Sequence, residues 1–199
     1  MSLKTTQSVY DNVLQGLVSL IQNQPKPHEV TKEKLFSYAR VMSRNGYRFS
    51  QLSLEALELY LKGYGLYLHG SVGTGKTFFF DCLSKTLTKP IQKFSMYDLF
   101  GKGESAIRDF IEDRVEYEML IDDIGAEPVF NNYGVKYDAL AYILEMRLKS
   151  KFRTHFTTNL ETHDVAKRYG VRVIDRITQM CKSAKFIGES NRKPKIYAS

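Results

Sequence analysis

The sequence predicts an α/β fold, a three-layer αβα sandwich in which a five-stranded parallel sheet lies between two layers of helices. From Gly65 onward, short apolar runs of strand length alternate with longer stretches of helical periodicity. This alternation is typical of a parallel sheet with helices on both faces. The predicted strands cover residues 66–69, 91–95, 118–121, 154–157 and 185–187, and the predicted helices between them cover residues 77–87, 105–114, 137–148 and 163–180.

Length and composition favour one soluble domain. With 199 residues, 43% of them hydrophobic, the chain can bury one ordinary core but is too short for two full-sized domains. No apolar run approaches the roughly 18 residues that a membrane span needs, and the N-terminus has no apolar secretory segment. We therefore expect a cytoplasmic protein with no membrane contact. The two cysteines, Cys82 and Cys181, cannot form a disulfide framework, and no His/Cys spacing fits a structural zinc site.

The N-terminal part of the chain is predicted to be helical, and we divide the sequence into an extension, residues 1–62, and a core, residues 63–199. A polar stretch with two prolines, residues 22–27, separates a short amphipathic helix from the rest. The apolar stripe of that helix packs either on the body of the protein or on a partner, so residues 1–30 are a candidate partner-binding element. Two further helices are expected from Thr31 to about Ser43 and from Ser53 to about Lys62, each opened by a capping hydroxyl.

The charge of the chain is unevenly distributed. The 29 basic and 22 acidic residues give a net charge of +7, but residues 146–199 alone carry 13 basic and 4 acidic residues, a local charge of +9. This asymmetry favours a polyanion near the C-terminal quarter, although a solvated basic surface is equally consistent with it.

A phosphate-binding loop follows the first predicted strand. Its pattern is G-x-x-x-x-G-K-S/T, which predicts a P-loop NTPase, and it lies where the mechanism requires, between a strand and a helix. The backbone amides and the helix N-terminus attract phosphate, Lys76 is expected to reach the β and γ phosphates, and the Thr77 hydroxyl is a ligand for Mg²⁺. The predicted phosphate-binding residues are Gly70, Ser71, Val72, Gly73, Thr74, Gly75, Lys76 and Thr77.

Two carboxylates supply the expected second half of such a site. Asp122 and Asp123 directly follow an apolar strand. Asp122 lies 46 residues after Lys76. The first is placed to hold Mg²⁺ and the second to accept a proton from an attacking water molecule. This pair therefore favours a hydrolase over a simple nucleotide-binding protein.

Three polar residues farther along the chain extend the site. Asn159 lies two residues beyond the fourth predicted strand, where its amide can position the hydrolytic water. Arg172 and Arg176 lie four residues apart on a predicted helix, so both guanidinium groups project from the same face.

In this order, the two phosphate motifs, the Thr-Thr-Asn strand end, the R-V-I-D-R helix and the closing I-G-E-S-N-R segment resemble a known family. They are similar to the AAA+ ATPases of the DnaC/DnaI helicase-loader and IstB transposition-helper group, over about residues 60 to 193. Many families share the phosphate loop, whereas the ordered set is far more specific.

The resemblance implies a role for each matching residue. Lys76 and Thr77 correspond to the Walker A pair, Asp122 and Asp123 to the Walker B pair, and Asn159 to sensor 1. Arg176 corresponds to the arginine finger, with Arg172 as the alternative and a helix-surface salt bridge as the structural explanation for either. In the family the finger acts on the ATP of a neighbouring subunit, which implies a nucleotide-dependent homo-oligomer.

The chain also departs from the family. It ends about seven residues after the Ser-Asn-Arg segment, so we expect an AAA+ core without a C-terminal lid domain and without an ordinary sensor 2 arginine. Arg192 is the candidate to take part of that role. The N-terminal region is shorter than the helicase-binding domain that loaders usually carry.

Single-stranded DNA binding requires basic residues beside stacking rings, and two groups in the sequence offer them. Neither forms a motif, and both have ordinary explanations, as core aromatic rings in the first group and as surface cations in the second. The groups are Tyr97, Phe100 and Lys102, and Lys149, Lys151 and Arg153.

The sequence therefore favours an ATP- and Mg²⁺-dependent AAA+ ATPase. It would act in DNA replication, as a DnaC-like loader of a replicative helicase, or in transposition, as an IstB-like partner of a transposase. Two alternatives from other classes are a nucleotide-dependent binding module with little turnover and a small-molecule P-loop kinase.

Overall fold

The computed structural model describes residues 32–99, 102, 104–128 and 139–191. Within these ranges the chain forms a sheet and the helices that cover it. The strands are β1 (Gly65–Gly70), β2 (Gln92–Ser95), β3 (Met119–Asp122), β4 (Thr154–Thr157) and β5 (Cys181–Phe186). The helices are α1 (Lys32–Arg44), α2 (Gln51–Leu61), α3 (Lys76–Ser84), α4 (Met96–Leu99), α5 (Glu104–Glu112), α6 (Ala139–Leu148), α7 (Thr162–Tyr169) and α8 (Val171–Met180).

The five strands form one parallel sheet in the order β2-β3-β4-β1-β5. The predicted five-stranded parallel sheet is confirmed, and the first four strands agree with the prediction to within one residue. β1 lies between β4 and β5. After β1 the chain crosses to β2 at one edge of the sheet and returns through β3 and β4, and β5 then pairs with the other side of β1. Such a reversal opens a crevice at the carboxyl ends of the strands, where ligands of α/β proteins bind.

The side chains of β1 alternate between two apolar clusters, one on each face of the sheet. Leu66 and Leu68 belong to the first cluster, which includes buried residues of α1 to α3. Tyr67 belongs to the second cluster, which includes buried residues of α4 to α8. The predicted three-layer αβα sandwich is therefore confirmed. Both cysteines are buried thiols, Cys82 in the first cluster and Cys181 in the second.

The helix predicted from Ser53 begins two residues earlier, because Ser50 is its N-cap. The Ser50 hydroxyl accepts a hydrogen bond from the Ser53 amide at 3.2 Å, and the Ser53 hydroxyl accepts one from the Ser50 amide at 2.8 Å. This reciprocal pair is a capping box, with serine in the place that Glu or Gln usually takes. Thr31, the expected cap of the preceding helix, lies outside the described residues.

The helix predicted over residues 163–180 is wrong as one element, because Gly170 divides it into α7 and α8. Gly170 has φ 91° and ψ 155°, a conformation that leaves the helix and that L side chains rarely adopt. The strand after α8 also begins at Cys181 rather than at Lys185. β5 is an edge strand with an exposed middle, so its pairing with β1, rather than an apolar run, defines where it starts.

Within the described ranges, every helix is too short or too polar to cross a bilayer. The amphipathic helix predicted near the N-terminus, residues 8–22, lies outside those ranges.

Candidate functional site

The phosphate loop lies at the carboxyl end of β1 and leads into α3, as the motif predicts. Gly75 is the N-cap of α3 and has φ 92°, in the left-handed region where glycine is favoured. Gly73 is packed so closely that a Cβ atom at this position would collide with the Ser190 hydroxyl. The loop therefore adopts a tight, glycine-dependent path at the N-terminus of a helix, which is a general anion-binding arrangement.

The segment after β5 lies against this loop. The Asn191 amide donates a hydrogen bond to the Gly73 carbonyl at 2.9 Å, and the Ser71 amide donates one to the Phe186 carbonyl at 3.0 Å. Part of the closing I-G-E-S-N-R segment therefore supports the phosphate loop directly. Arg192, the candidate for a partial sensor 2 role, lies outside the described residues.

Lys76 is buried within the loop, with 5% of its surface exposed. Its Nζ atom donates hydrogen bonds to the carbonyls of Gly70 and Ser71 and to Oδ1 of Asn159, each at 2.8 Å. The loop thus contains a cation that is already directed toward its interior, and this cation connects the first and fourth strands.

Thr77 and Asp122 meet at the end of β3, although they lie 45 residues apart in the chain. The Thr77 hydroxyl donates to Oδ1 of Asp122 at 2.9 Å. A hydroxyl and a carboxylate are oxygen ligands that Mg²⁺ accepts, and Mg²⁺ commonly takes its other ligands from phosphates and water. Among the described residues, no group of three or more His, Cys, Asp or Glu side chains is arranged to hold a metal ion. The donor set fits Mg²⁺ bound together with a nucleotide.

Asp123 and Asn159 form the next contact of the site. The Asn159 Nδ2 atom donates to Oδ1 of Asp123 at 2.6 Å, while Oδ1 of the same amide accepts from Lys76. Asp123 has φ 55°, a left-handed conformation that Asp and Asn tolerate better than most residues. The structure therefore brings Lys76, Thr77, Asp122, Asp123 and Asn159 together at one edge of the sheet.

The two arginines of α8 have different surroundings. Arg176 Nε donates to Oε1 of Glu145 at 2.9 Å, and its Nη1 donates to Gln179 at 3.4 Å. Arg172 is exposed near the start of the helix. Within a single chain, the contacts of Arg176 are those of a surface ion pair rather than of the phosphate loop.

The residues of the two candidate DNA-binding groups differ in exposure. Tyr97 is 63% exposed and is therefore not a core ring, and Lys102 is also exposed. Phe100 lies outside the described residues. Lys149 and Lys151 are exposed near the end of α6.

Arg153, in contrast, contacts the protein's own interior. Its Nη2 donates to Oε2 of Glu118 at 2.9 Å, and its guanidinium lies 4.0 Å from the centroid of the Tyr60 ring. Burial would raise the pKa of Glu118, but the hydrogen bonds and charges of His155 and Arg153 outweigh burial and hold that pKa below its usual range. The contacts of Arg153 are those of a structural ion pair, which sequence reasoning did not anticipate because Glu118 lies 35 residues away.

Strand order, phosphate loop and acidic strand end together define a P-loop NTPase fold. Residues 66–128, which contain the loop and both acids, match the model of the ATPase family associated with various cellular activities (AAA). This match and the fold support the resemblance to the AAA+ ATPases of the DnaC/DnaI group that the ordered motifs predict.

One curated protein and one solved structure, both named DnaI, are similar to this chain. The replicative helicase loader DnaI of Bacillus subtilis (strain 168) is 23% identical to this chain, and the match covers 67% of this chain and 49% of that protein. The chain thus spans about half the length of the curated relative it matches. A crystal structure of DnaI has the same fold, with a TM-score of 0.52 and 18% identity, covering 80% of this chain and 88% of the other.

Proposed function

We propose that this protein binds ATP with Mg²⁺ and hydrolyses it. One observation carries the proposal: three contacts meet at the carboxyl edge of the sheet. The buried Lys76 donates to Asn159, the Thr77 hydroxyl donates to Asp122, and the Asn159 amide donates to Asp123. These groups match the needs of phosphoryl transfer to water, which are phosphate binding, a metal ligand set and a proton acceptor.

The residues divide the work as follows. The amides of residues 70–77 and the Lys76 ammonium hold the phosphates, while Thr77 and Asp122 hold Mg²⁺. When bound, Mg²⁺ neutralises charge on the phosphate oxygens. Asp123 accepts the proton of the attacking water, and the Asn159 amide orients that carboxylate.

Asp123→Asn is expected to retain ATP binding and to slow hydrolysis by roughly 10²-fold or more, the scale of losing a general base. Asparagine tolerates the left-handed backbone and keeps the size of the side chain, so the loop should be preserved. Phosphate release under saturating ATP gives the turnover, and titration with a fluorescent ATP analogue gives the affinity.

Asp109→Asn, at an exposed position on α5, is the matched control and should keep the turnover of the wild type. Normal turnover of Asp123→Asn would remove this residue from the mechanism. Label transfer from ATP to a small acceptor would instead indicate the kinase. A wild-type protein that binds ATP but releases no phosphate, with or without single-stranded DNA, would indicate the nucleotide-dependent binding module.

Single-stranded DNA is included in that assay because of the surface around α4. The ring of Tyr97 is 63% exposed and an exposed lysine, Lys102, follows it closely in the chain. The Lys102 ammonium also lies 5.9 Å from the centroid of the Phe110 ring. An exposed ring supports stacking of a base and an exposed cation attracts phosphate, and we propose this surface as a DNA contact that stimulates turnover.

We further propose that the ATPase serves a replicative helicase. The support is similarity to DnaI, which is named a replicative helicase loader. Residues 1–30 are the proposed docking element, and an IstB-like role with a transposase is the alternative.

Capture from the native host with ATP-loaded Asp123→Asn tests this assignment, because slow hydrolysis should prolong the ATP-bound complex. A replicative helicase is expected among the captured proteins, and its capture should be lost when residues 1–30 are deleted. Capture of a transposase would support the alternative, and capture that ignores the deletion would remove the docking role of residues 1–30.

A further inference from the structure

The hydroxyl of Thr157, at the end of β4, lies between the two acidic residues of the site. Thr157 Oγ1 donates to Oδ1 of Asp122 at 2.5 Å and accepts a hydrogen bond from the Asp123 amide at 2.8 Å. A threonine hydroxyl has one proton and two lone pairs, so it can make both contacts at once. One buried side chain therefore connects the carboxylate of one acid to the backbone of the next.

The position of this hydroxyl is set by the sheet. The Thr157 carbonyl accepts from the Ile124 amide at 2.9 Å, and Thr157 is paired with Leu68 of β1. Its side chain is 1% exposed. Because the backbone of Thr157 is held from both neighbouring strands, its hydroxyl has little freedom to follow the acids and instead constrains them.

Each of the two contacts has a consequence for the site. Oδ1 of Asp122 accepts from both Thr77 and Thr157, which fixes the plane of the carboxylate beside the hydroxyl of the proposed metal ligand. The Asp123 amide donates to Thr157 while Asp123 has φ 55°. A left-handed conformation at a non-glycine residue persists where its surroundings hold it.

We propose that Thr157 is a positioning residue that couples the metal ligand Asp122 to the proton acceptor Asp123. This inference rests on the proposed ATPase function and deepens it. The Thr157 hydroxyl directs the Asp122 carboxylate toward the metal position and holds the backbone turn that presents Asp123.

Thr158 provides a matched comparison for Thr157. It is the next residue, is fully buried, and also uses its hydroxyl, which donates to the Ile124 carbonyl at 2.6 Å and accepts from the Leu160 amide at 3.1 Å. Its contacts go only to backbone atoms and to neither acidic residue. A valine at either position removes one buried hydroxyl, but only Thr157→Val removes a contact of the acids.

The test compares Thr157→Val, Thr157→Ser and Thr158→Val. Thr157→Val should lower kcat by about 10-fold or more and raise the Mg²⁺ concentration for half-maximal rate several-fold, with a much smaller change in KM for ATP. Thr157→Ser keeps the hydroxyl and should restore both values. Thr158→Val should lower the urea midpoint of unfolding while leaving kcat and the Mg²⁺ dependence near those of the wild type.

A second measurement does not depend on turnover. The ratio of the affinities for a fluorescent ATP analogue with and without Mg²⁺ should fall in Thr157→Val and be retained in Thr157→Ser and Thr158→Val. Thr157→Ala replaces the valine variant if that variant does not fold. A wild-type protein without ATP hydrolysis would refute the proposed function, and this ratio would still decide the role of Thr157.

Three results would overturn the positioning role. They are an unchanged Mg²⁺ dependence in Thr157→Val, an equal loss in Thr158→Val, and failure of Thr157→Ser to recover.

Discussion

Replacing Lys76 by alanine is expected to abolish ATP binding. Lys76 is buried in the loop, and its ammonium is the cation directed at the carbonyls of Gly70 and Ser71. Without this ammonium, no cation in the loop neutralises the charge of the polyphosphate. The two carbonyls also lose their donor. Titration with a fluorescent ATP analogue in the presence of Mg²⁺ should show no saturable binding at concentrations that saturate the wild type.

Lys85→Ala is the control for this experiment. Lys85 is the C-cap residue of the same helix, and its ammonium contacts Asn45 at the surface. This variant should bind ATP as the wild type does, and circular dichroism should show that both variants are folded. Unchanged ATP affinity in Lys76→Ala would refute the assignment of the phosphate site.

Lys76→Ala also tests whether the site is shared between subunits. Arg176 is held by Glu145 in the single chain, so its proposed action on ATP requires a neighbouring copy. Arg176→Ala should bind ATP normally and turn over poorly. Mixing it with Lys76→Ala should partly restore turnover, because the Lys76→Ala subunit supplies an intact Arg176 to the ATP-bound site of its neighbour. If the mixture of demonstrated oligomers stays inactive, Arg176 acts within one chain or not at all. Arg172→Ala, treated alike, tests the alternative finger.

The parts of the site that sequence predicts well are the local ones. The phosphate loop is eight consecutive residues whose pattern specifies a turn, an anion site and a helix start. Asp122 is equally accessible, because an apolar run followed by an acid predicts a carboxylate at the carboxyl edge of a parallel sheet. In both cases the residues that determine the geometry are neighbours in the chain.

The contacts that the sequence did not predict are set by strand register. Thr157 can reach Asp122 and Asp123 only because β3 and β4 pair in parallel with Ile121 opposite Phe156, and no periodicity in the chain specifies that alignment. The division of the 163–180 helix at Gly170 has a different origin. A glycine inside a helical pattern costs only about 1 kcal/mol, so the pattern alone does not distinguish a tolerated glycine from a break.

The burial of Arg147 is the main structural feature that the sequence did not predict. A basic residue in the last turn of a helix, as here in α6, is ordinarily a surface residue. The Arg147 side chain is 1% exposed, and its guanidinium donates to the Thr154 hydroxyl and to the carbonyls of Tyr117, Phe152 and Arg153. Burial lowers its pKa to about 10, so the group remains charged at neutral pH. It joins the loop before β3, the end of α6 and the start of β4.

Arg147→Met is expected to lower the free energy of unfolding by about 3 kcal/mol or more. Methionine fills much of the space, but the carbonyls of Tyr117 and Phe152 would lose the guanidinium that donates to them, and the Arg153 carbonyl would keep only the Met119 amide. Arg147→Lys should lie between the wild type and Arg147→Met, because an ammonium keeps the charge with three donors instead of the five of a guanidinium. Urea denaturation followed by circular dichroism measures all three.

The control distinguishes loss of buried hydrogen bonds from loss of charge. Arg172→Met removes an exposed arginine from α8 and should change stability by no more than about 0.5 kcal/mol. Replacing a complete buried ion pair by apolar residues is often neutral, because both partners leave together. The partners of Arg147 include backbone carbonyls, which no side-chain substitution removes. The two sides of the interaction therefore cannot be removed together. Equal stability of Arg147→Met and Arg172→Met would therefore show that water or a local rearrangement satisfies those carbonyls.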